Sequence, residues 1–192
     1  IILPLGFKKK IFEKFFNSKK NKKKFKFNLI DAKLKNFKFN RINIFLFDAK
    51  KNISKLERIK KSLKYLRDFD NIGVNYGDAI SNINIKLVYK KFLKKNYDAI
   101  MSVTKIKSPY GHIIIKKNIV KSFIEKPYLT SPTNIGYYFI KKKIIQKYNK
   151  KNQELETGFF KDLVKKKKLG FYFHKGYFHT VNHKQDLVNL KK

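Results

Sequence analysis

Three short stretches carry side chains whose types and spacing could do chemistry. The first is Asn71-Ile72-Gly73-Val74-Asn75-Tyr76-Gly77-Asp78, an apolar run ending in Tyr-Gly-Asp. It sets a carboxylate where a strand gives way to a loop. Open α/β sheets bind ligands beyond the carboxyl ends of their strands, and a carboxylate there suits a hard, oxygen-liganded cation such as Mg²⁺. Asp78 is therefore the candidate centre of a metal–phosphate site. The second stretch is Phe123-Ile124-Glu125-Lys126-Pro127, and the third is Thr133-Asn134-Ile135-Gly136-Tyr137-Tyr138. Each also has a plainer reading, because Gly-Asp marks ordinary turns, Glu125-Lys126 suits a solvated hairpin end, and Asn134 with Gly136 suits a turn into a strand.

The elements that must position these residues follow from periodicity. Ile1 to Leu5 reads as a strand, Gly6 as a turn, and the apolar positions 11, 12, 15 and 16 as one face of a helix. Asn17 to Lys24 is a lysine run between ordered elements, read as an exposed loop. Phe25 to Asn28 and Ile42 to Phe47 read as strands, and apolar residues at 53, 56, 59, 63 and 66 give a helix over Ile53 to Leu66. Ile72 to Tyr76 is the next strand, followed by a loop from Ala79 to Asn84 and a helix from Ile85 to Lys95. Tyr97 to Thr104 is a strand that leads to a turn at Ser108-Pro109-Tyr110-Gly111. Ile113 to Ile115 and Ile119 to Ile124 flank Lys117-Asn118, an apt hairpin turn. Pro127 stops the second strand of that hairpin. Strands at Tyr137 to Ile140, Phe171 to His174 and Phe178 to Val181, with helices at Lys141 to Tyr148, Thr157 to Lys168 and Gln185 to Leu190, complete the chain. Alternating β and α units with a mid-chain hairpin argue for an α/β fold with a mixed, mostly parallel sheet flanked by helices and an antiparallel hairpin addition.

Length and composition set the bounds. The 192 residues allow one well-buried domain, and 42% hydrophobic with 16% aromatic content is ample for a core despite 32% charged residues. A formal charge of +35, from 48 Lys+Arg against 13 Asp+Glu, suggests polyanion affinity. Nearly all of it is lysine, accompanied by much Asn, Ile and Phe, which A/T-rich codons also explain. Arginine, the bidentate phosphate reader, appears only at Arg41, Arg58 and Arg67. Most of the lysine therefore reads as solvated surface. The absence of cysteine rules out disulfides and thiolate zinc sites. With no apolar run near the about 18 residues of a membrane span and no signal peptide, the expectation is a cytoplasmic protein without a membrane partner. The chain begins with Ile, which fits a clipped start.

Taken in order, the three stretches resemble the sugar-1-phosphate nucleotidyltransferase family, and most closely the glucose-1-phosphate cytidylyltransferases. The matching segments are Tyr76 to Ile85, the Tyr110-Gly111 turn, Ser122 to Pro127 and Asn134 to Phe139. Asp48 to Lys61 also matches, although Leu56 and Glu57 stand where the family has two glycines. The resemblance implies a Rossmann-like, GT-A-like fold over the single domain 1–192. The family's Gly-Gly-x-Gly-Thr-Arg loop is absent. Ile1 to Phe16 resembles instead the family's second strand–turn–helix unit, so the expectation is an N-terminally incomplete chain lacking the first βαβ unit.

By this resemblance the protein is an enzyme of nucleotide-sugar and polysaccharide biosynthesis. It would transfer CMP from CTP to a sugar 1-phosphate, giving a CDP-sugar and pyrophosphate with Mg²⁺ as cofactor. Asp78 and Lys126 are the catalytic residues so implied, with Asp78 and Asn182 as metal ligands. Tyr76, Gly77, Gly111, Glu125, Asn134, Gly136, Arg58, Lys60 and His179 are the substrate-binding set. Asn182 stands where the family has a second metal-binding Asp, and Asp186 on its helix would point one turn away. The other histidines, His112, His174 and His183, have no partner at metal-ligand spacing. Turnover by this chain alone is expected to be weak without the triphosphate loop. Two further readings stay open: a basic nucleic-acid-binding module, and a non-catalytic relative of the same fold favoured by Asn182 and Glu57. The sequence assigns no specific nucleic acid, leaves the sugar unidentified, and allows a homo-oligomer.

Overall fold

A computed structural model of the protein describes residues 1–22, 26–31, 34–39 and 42–190. It contains two compact units, one of residues 1–69 with 145–161 and one of residues 70–144 with 162–192.

In the first unit, β1 (Ile2–Leu5), β2 (Lys26–Asp31), β3 (Leu34–Phe39) and β4 (Ile42–Asp48) form a sheet in the order β1-β4-β3-β2. β1 and β4 run parallel, with Leu3 opposite Leu46, and the remaining pairs are antiparallel. The period-2 alternation of β4 sorts its side chains to two faces. Leu46 packs with Leu5 and Phe16 of α1 (Lys9–Asn17), Leu3 and Ile44 lying against them. Phe47 and Ala49 pack with Ile2, Phe45, Ile53 and Tyr65 in a separate cluster. Tyr65 lies in a 3₁₀ turn that follows α3 (Lys55–Ser62). Ser54 starts α3, its hydroxyl accepting from the Glu57 N–H at 3.1 Å and donating to the Gln153 carbonyl at 3.0 Å. The lysine run is not wholly a loop, for Lys19–Lys22 make one helical turn, α2. Lys23, Lys24, Phe25 and Arg41 lie outside the described residues.

In the second unit, β5 (Asn71–Asn75), β7 (Ala99–Thr104), β10 (Thr133–Lys141) and β11 (Leu169–Phe173) form a sheet in the order β11-β7-β10-β5. The central strand β7 is apolar and nearly wholly buried, as the run Ala99-Ile100-Met101-Ser102-Val103 requires. α4 (Ile85–Lys94) lays Val88 and Phe92 on this sheet against Ile83, Ile100 and Ile135. Asn84 caps it, accepting from the Leu87 N–H at 3.1 Å. β6 (Ala79–Ser81) pairs with β12 (Phe178–Thr180), so the expected loop after Asp78 begins as a strand. β8 (His112–Lys116) and β9 (Ile119–Ile124) form the expected hairpin. Lys117 and Asn118 between them have φ of 47° and 59°, the two left-handed residues of a primed turn.

The other helices are α5 (Lys142–Lys147), α6 (Lys161–Lys165) and α7 (Lys184–Asn189). Leu155–Phe160 forms a π-helical turn, where the sequence reading has ordinary helix from Thr157. Mixed α/β architecture with parallel pairing and a hairpin addition is thus present. The balance is less parallel than expected: among the described residues β1–β4 and β11–β7 are the parallel pairs, and β10 joins its sheet antiparallel to both β5 and β7. No helix among the described residues is long and apolar enough to cross a membrane.

Candidate active site

The turn between β5 and β6 holds Tyr76, Gly77 and Asp78, and main-chain bonds fix it from three directions. The Ala79 N–H donates to the Tyr76 carbonyl at 3.2 Å, and the Tyr76 N–H donates to the Gly136 carbonyl at 3.0 Å on β10. The Val181 N–H, just past β12, donates to the Asp78 carbonyl at 2.9 Å. The backbone at Asp78 is thereby held while its carboxylate stays exposed. The Tyr137 hydroxyl donates to the Ala79 carbonyl at 3.1 Å. Burial raises its pKa above the ordinary phenol value.

Beside this turn, β10 carries an irregularity between Asn134 and Tyr138 in its pairing with β7. Gly136 occupies it with φ of +78°, the left-handed region that favours glycine. A Cβ at Gly136 would lie 2.9 Å from Cδ2 of Tyr76, so the close approach of the two segments depends on its absence. The Asn134 carbonyl oxygen accepts from the Gly136 N–H at 3.0 Å, and its amide donates to the Tyr138 hydroxyl at 2.6 Å. The amide retains one hydrogen and one lone pair for a ligand. The rings of Tyr76 and Tyr138 meet edge-on at 5.5 Å.

β12 brings His179 opposite Ile80, and Asn182 follows Val181. The Asn182 side chain is exposed, with its amide 3.4 Å from the Thr180 hydroxyl. Asp186 is turned to its own helix: it accepts from the Asn182 and His183 N–H groups, each at 2.8 Å. Those two bonds, His183 first, hold its carboxyl below the usual range. Tyr76, Gly77, Asp78, Asn134, Gly136, His179 and Asn182 therefore converge in the second unit.

Gly111, Glu125 and Lys126 flank the β8–β9 hairpin of the same unit. Gly111 faces Glu125, since a Cβ there would stand 2.6 Å from the Phe123 ring and 2.9 Å from the Glu125 carboxylate. Glu125 and Lys126 pair loosely with each other at 3.9 Å, both largely exposed, and Lys126 has φ of 46°. The main chain closes this end of the hairpin with Ser108 N–H donating to the Pro127 carbonyl at 2.8 Å. Arg58 and Lys60 belong to the first unit. The Arg58 guanidinium donates to the Lys51 carbonyl at 2.9 Å, and Lys60 pairs with Glu57 at 3.2 Å. Both cations thus have partners within their own unit.

Two side chains that hold the site together are not read as such from the sequence. Tyr138 orients Asn134, and buried His174 bridges the Ser81 hydroxyl at 3.1 Å and the Tyr177 carbonyl at 3.0 Å. The sequence carries no specific signal for either, Tyr138 lying within β10 and His174 just past β11.

The donors present suit one kind of metal site. Among the described residues no three His, Cys, Asp or Glu side chains cluster. One carboxylate and one amide oxygen, Asp78 and Asn182, could serve Mg²⁺ only alongside phosphate oxygens of a ligand, since Mg²⁺ is commonly held by one or two carboxylates plus phosphates.

No family model matches the chain. A curated protein of Bacillus subtilis (strain 168), described as "Probable glucose-1-phosphate cytidylyltransferase", is 24% identical over 136 residues, 70% of this chain and 53% of the relative. The chain thus spans about half the length of that relative. Among solved structures, HddC from Yersinia pseudotuberculosis aligns with a TM-score of 0.60 at 22% identity, covering 98% of this chain and 76% of that one. The same protein complexed with GMP-PN aligns equally well. A Bacillus anthracis protein described as a "Putative Glucose-1-Phosphate Thymidylyltransferase", in complex with a sucrose, aligns with a TM-score of 0.52 at 16% identity, covering 76% of this chain and 63% of that one. In fold the chain is nucleotidyltransferase-like, and in sequence it resembles the sugar-1-phosphate nucleotidyltransferases.

Proposed function

We propose that this chain carries the sugar-1-phosphate half of a nucleotidyltransferase that makes a nucleotide sugar. The observation that carries the reading is the convergence of the Tyr76–Asp78 turn with the Asn134–Gly136 irregularity and the end of β12. In the reaction, a phosphate oxygen of the sugar 1-phosphate attacks the α-phosphorus of a nucleoside triphosphate. A new P–O bond forms, the bond to the β-phosphate breaks, and pyrophosphate leaves. The nucleophile is already ionised, so no strong base is needed and positioning supplies most of the rate. Asp78 and Asn182 would hold Mg²⁺, which when bound neutralises phosphate charge. Lys126 meets the sugar phosphate, and Asn134 and Glu125 take sugar hydroxyls. Gly77 and Gly136 let the backbone come close, and His179 lines the rim.

The Bacillus subtilis relative favours CTP, and hence a CDP-sugar, as the nucleotide side. A guanine nucleotide is the second reading, favoured by the GMP-PN complex of the Yersinia protein.

The test is equilibrium binding of a sugar 1-phosphate with Mg²⁺ to the parent and to Asp78→Ala and Lys126→Ala. Both variants should bind at least about tenfold more weakly; parental affinity in both sinks the assignment. Equilibrium binding of CTP against GTP to the same proteins then decides the nucleotide.

A further inference from the structure

The strands β8 and β9 make a sheet by themselves: among the described residues each pairs with the other alone. Two-stranded hairpins are marginal in water unless a third strand or a packed face supports them. In this one every Ile, Val and Phe of the two strands is at least half exposed.

Strand pairing sorts these side chains between two faces. Ile113 lies opposite Phe123 and Ile115 opposite Val120, so these four share one face. The second face is mixed, with Ile114 opposite Ser122, Lys116 opposite Ile119 and His112 opposite Ile124. The apolar face has an acidic end and a basic end. At the base, the Glu125 carboxylate and the Phe123 ring both lie over Gly111, and at the tip Lys117 occupies the turn. The two ends stand about 20 Å apart, at about 3.3 Å per residue.

A surface with such ends is self-complementary about a two-fold axis. Turned antiparallel, two copies of the face stack their apolar residues on each other and set each tip beside the other's Glu125. Each face offers apolar area on the order of 400 Å², within the range of patches that mark interaction sites. That is about half of what one partner gives to a standard interface, so the dimer should be weak and exchanging. The arrangement also answers the charge of the protein. A formal charge of +35 opposes self-association, but antiparallel stacking keeps the two lysine-bearing tips about 20 Å apart, beyond two Debye lengths of about 8 Å.

We propose that the face formed by Ile113, Ile115, Val120 and Phe123 docks a second copy of this chain, hairpin stacked on hairpin in a two-fold dimer. Dimerisation by this face does not require the sugar-phosphate reading.

The test is sedimentation velocity of the full chain from about 1 to about 200 µM, in about 50 mM and about 500 mM NaCl. Parent protein should show a monomer–dimer equilibrium that tightens as salt screens the lysines. Ile113→Thr with Ile115→Thr should weaken it about tenfold or more. Ile114→Thr with Ile119→Thr removes comparably exposed side chains from the other face and should change it less than about twofold. Lys117→Glu should weaken the dimer by facing Glu125, and adding Glu125→Lys should restore it. A chain that stays monomeric throughout the range, or equal losses in both isoleucine pairs, overturns the proposal. So does association that salt weakens, or binding to phosphatidylserine vesicles by a monomeric protein that the first pair abolishes, since either assigns the face to an anionic partner. Thermal melts check that each variant folds, and Ile115→Thr alone serves if the pair melts early.

Discussion

The main-chain N–H of Val181 donates to the carbonyl of Asp78 over 2.9 Å, so the end of β12 fastens the loop that opens the second unit. The bond uses the backbone of Asp78 and leaves its carboxylate to the solvent. Asp78→Asn should therefore keep the turn. Denaturation should move by no more than about 0.5 kcal/mol, as for an ordinary surface change. Mg²⁺-dependent affinity for a sugar 1-phosphate should fall about tenfold or more. Calorimetric titration beside a urea melt checks both halves.

Gly136 and Gly77 flank the same turn and should answer differently to alanine. At Gly136 the φ of +78° and the 2.9 Å approach to Tyr76 both oppose a methyl group. Gly136→Ala should cost about 1–3 kcal/mol in a urea melt. At Gly77 a Cβ meets nothing within 4 Å, so Gly77→Ala should stay within about 0.5 kcal/mol. Equal losses would show that the irregularity in β10 is not what sets this approach.

The start of α4 depends on one side chain. Asn84 accepts from the Leu87 N–H at 3.1 Å, and without it that donor loses its cap. Asn84→Ala should destabilise the protein by about 1 kcal/mol, while Asn84→Asp keeps the acceptor and should be near neutral. Guanidinium melts of the two variants distinguish a cap from general sensitivity of the helix.

The start of α7 should respond to acid. Asp186 accepts from the His183 and Asn182 N–H groups, and its folded pKa lies below the ordinary carboxylate value. A lowered folded pKa means that the ionised form favours the folded helix. Its contribution is full above the unfolded pKa and is lost as pH falls through the folded one. Amide exchange in α7 should therefore quicken between those two values, and in Asp186→Asn this acid response should disappear. A parental profile unchanged over that window would contradict the cap.

Much of the local structure follows from spacing alone. The apolar positions 53, 56, 59, 63 and 66 predict a helix over Ile53 to Leu66, of which Lys55–Ser62 forms α3 and Leu63–Tyr65 a 3₁₀ turn, and the run Ala99 to Val103 places the buried strand β7, because burial demands those patterns. Lys117-Asn118 marks its turn because Asn tolerates positive φ. β3 is harder to see, since Leu34 to Phe39 mixes Lys and Asn with its apolar residues. β6 is a strand only because β12 arrives to pair with it, and three residues with no local preference carry no sign of that.

For the site, the sequence by itself determined the order and spacing of the polar stretches that hold Asp78, Glu125-Lys126, and Asn134 with Gly136. Their types and order are properties of the chain. Tertiary structure alone decided which of them meet. Hydrogen bonds from β12 and the irregularity of β10 bring Tyr76, Asp78, Asn134, His179 and Asn182 together. Arg58 and Lys60 instead find partners in the first unit. It also decided that Asp186 caps a helix and that a scatter of lysines along the sequence converges at the ends of β1 and β4. The reason is physical: a side chain's chemistry is local, whereas its partners are chosen by strand pairing and packing between segments far apart in sequence.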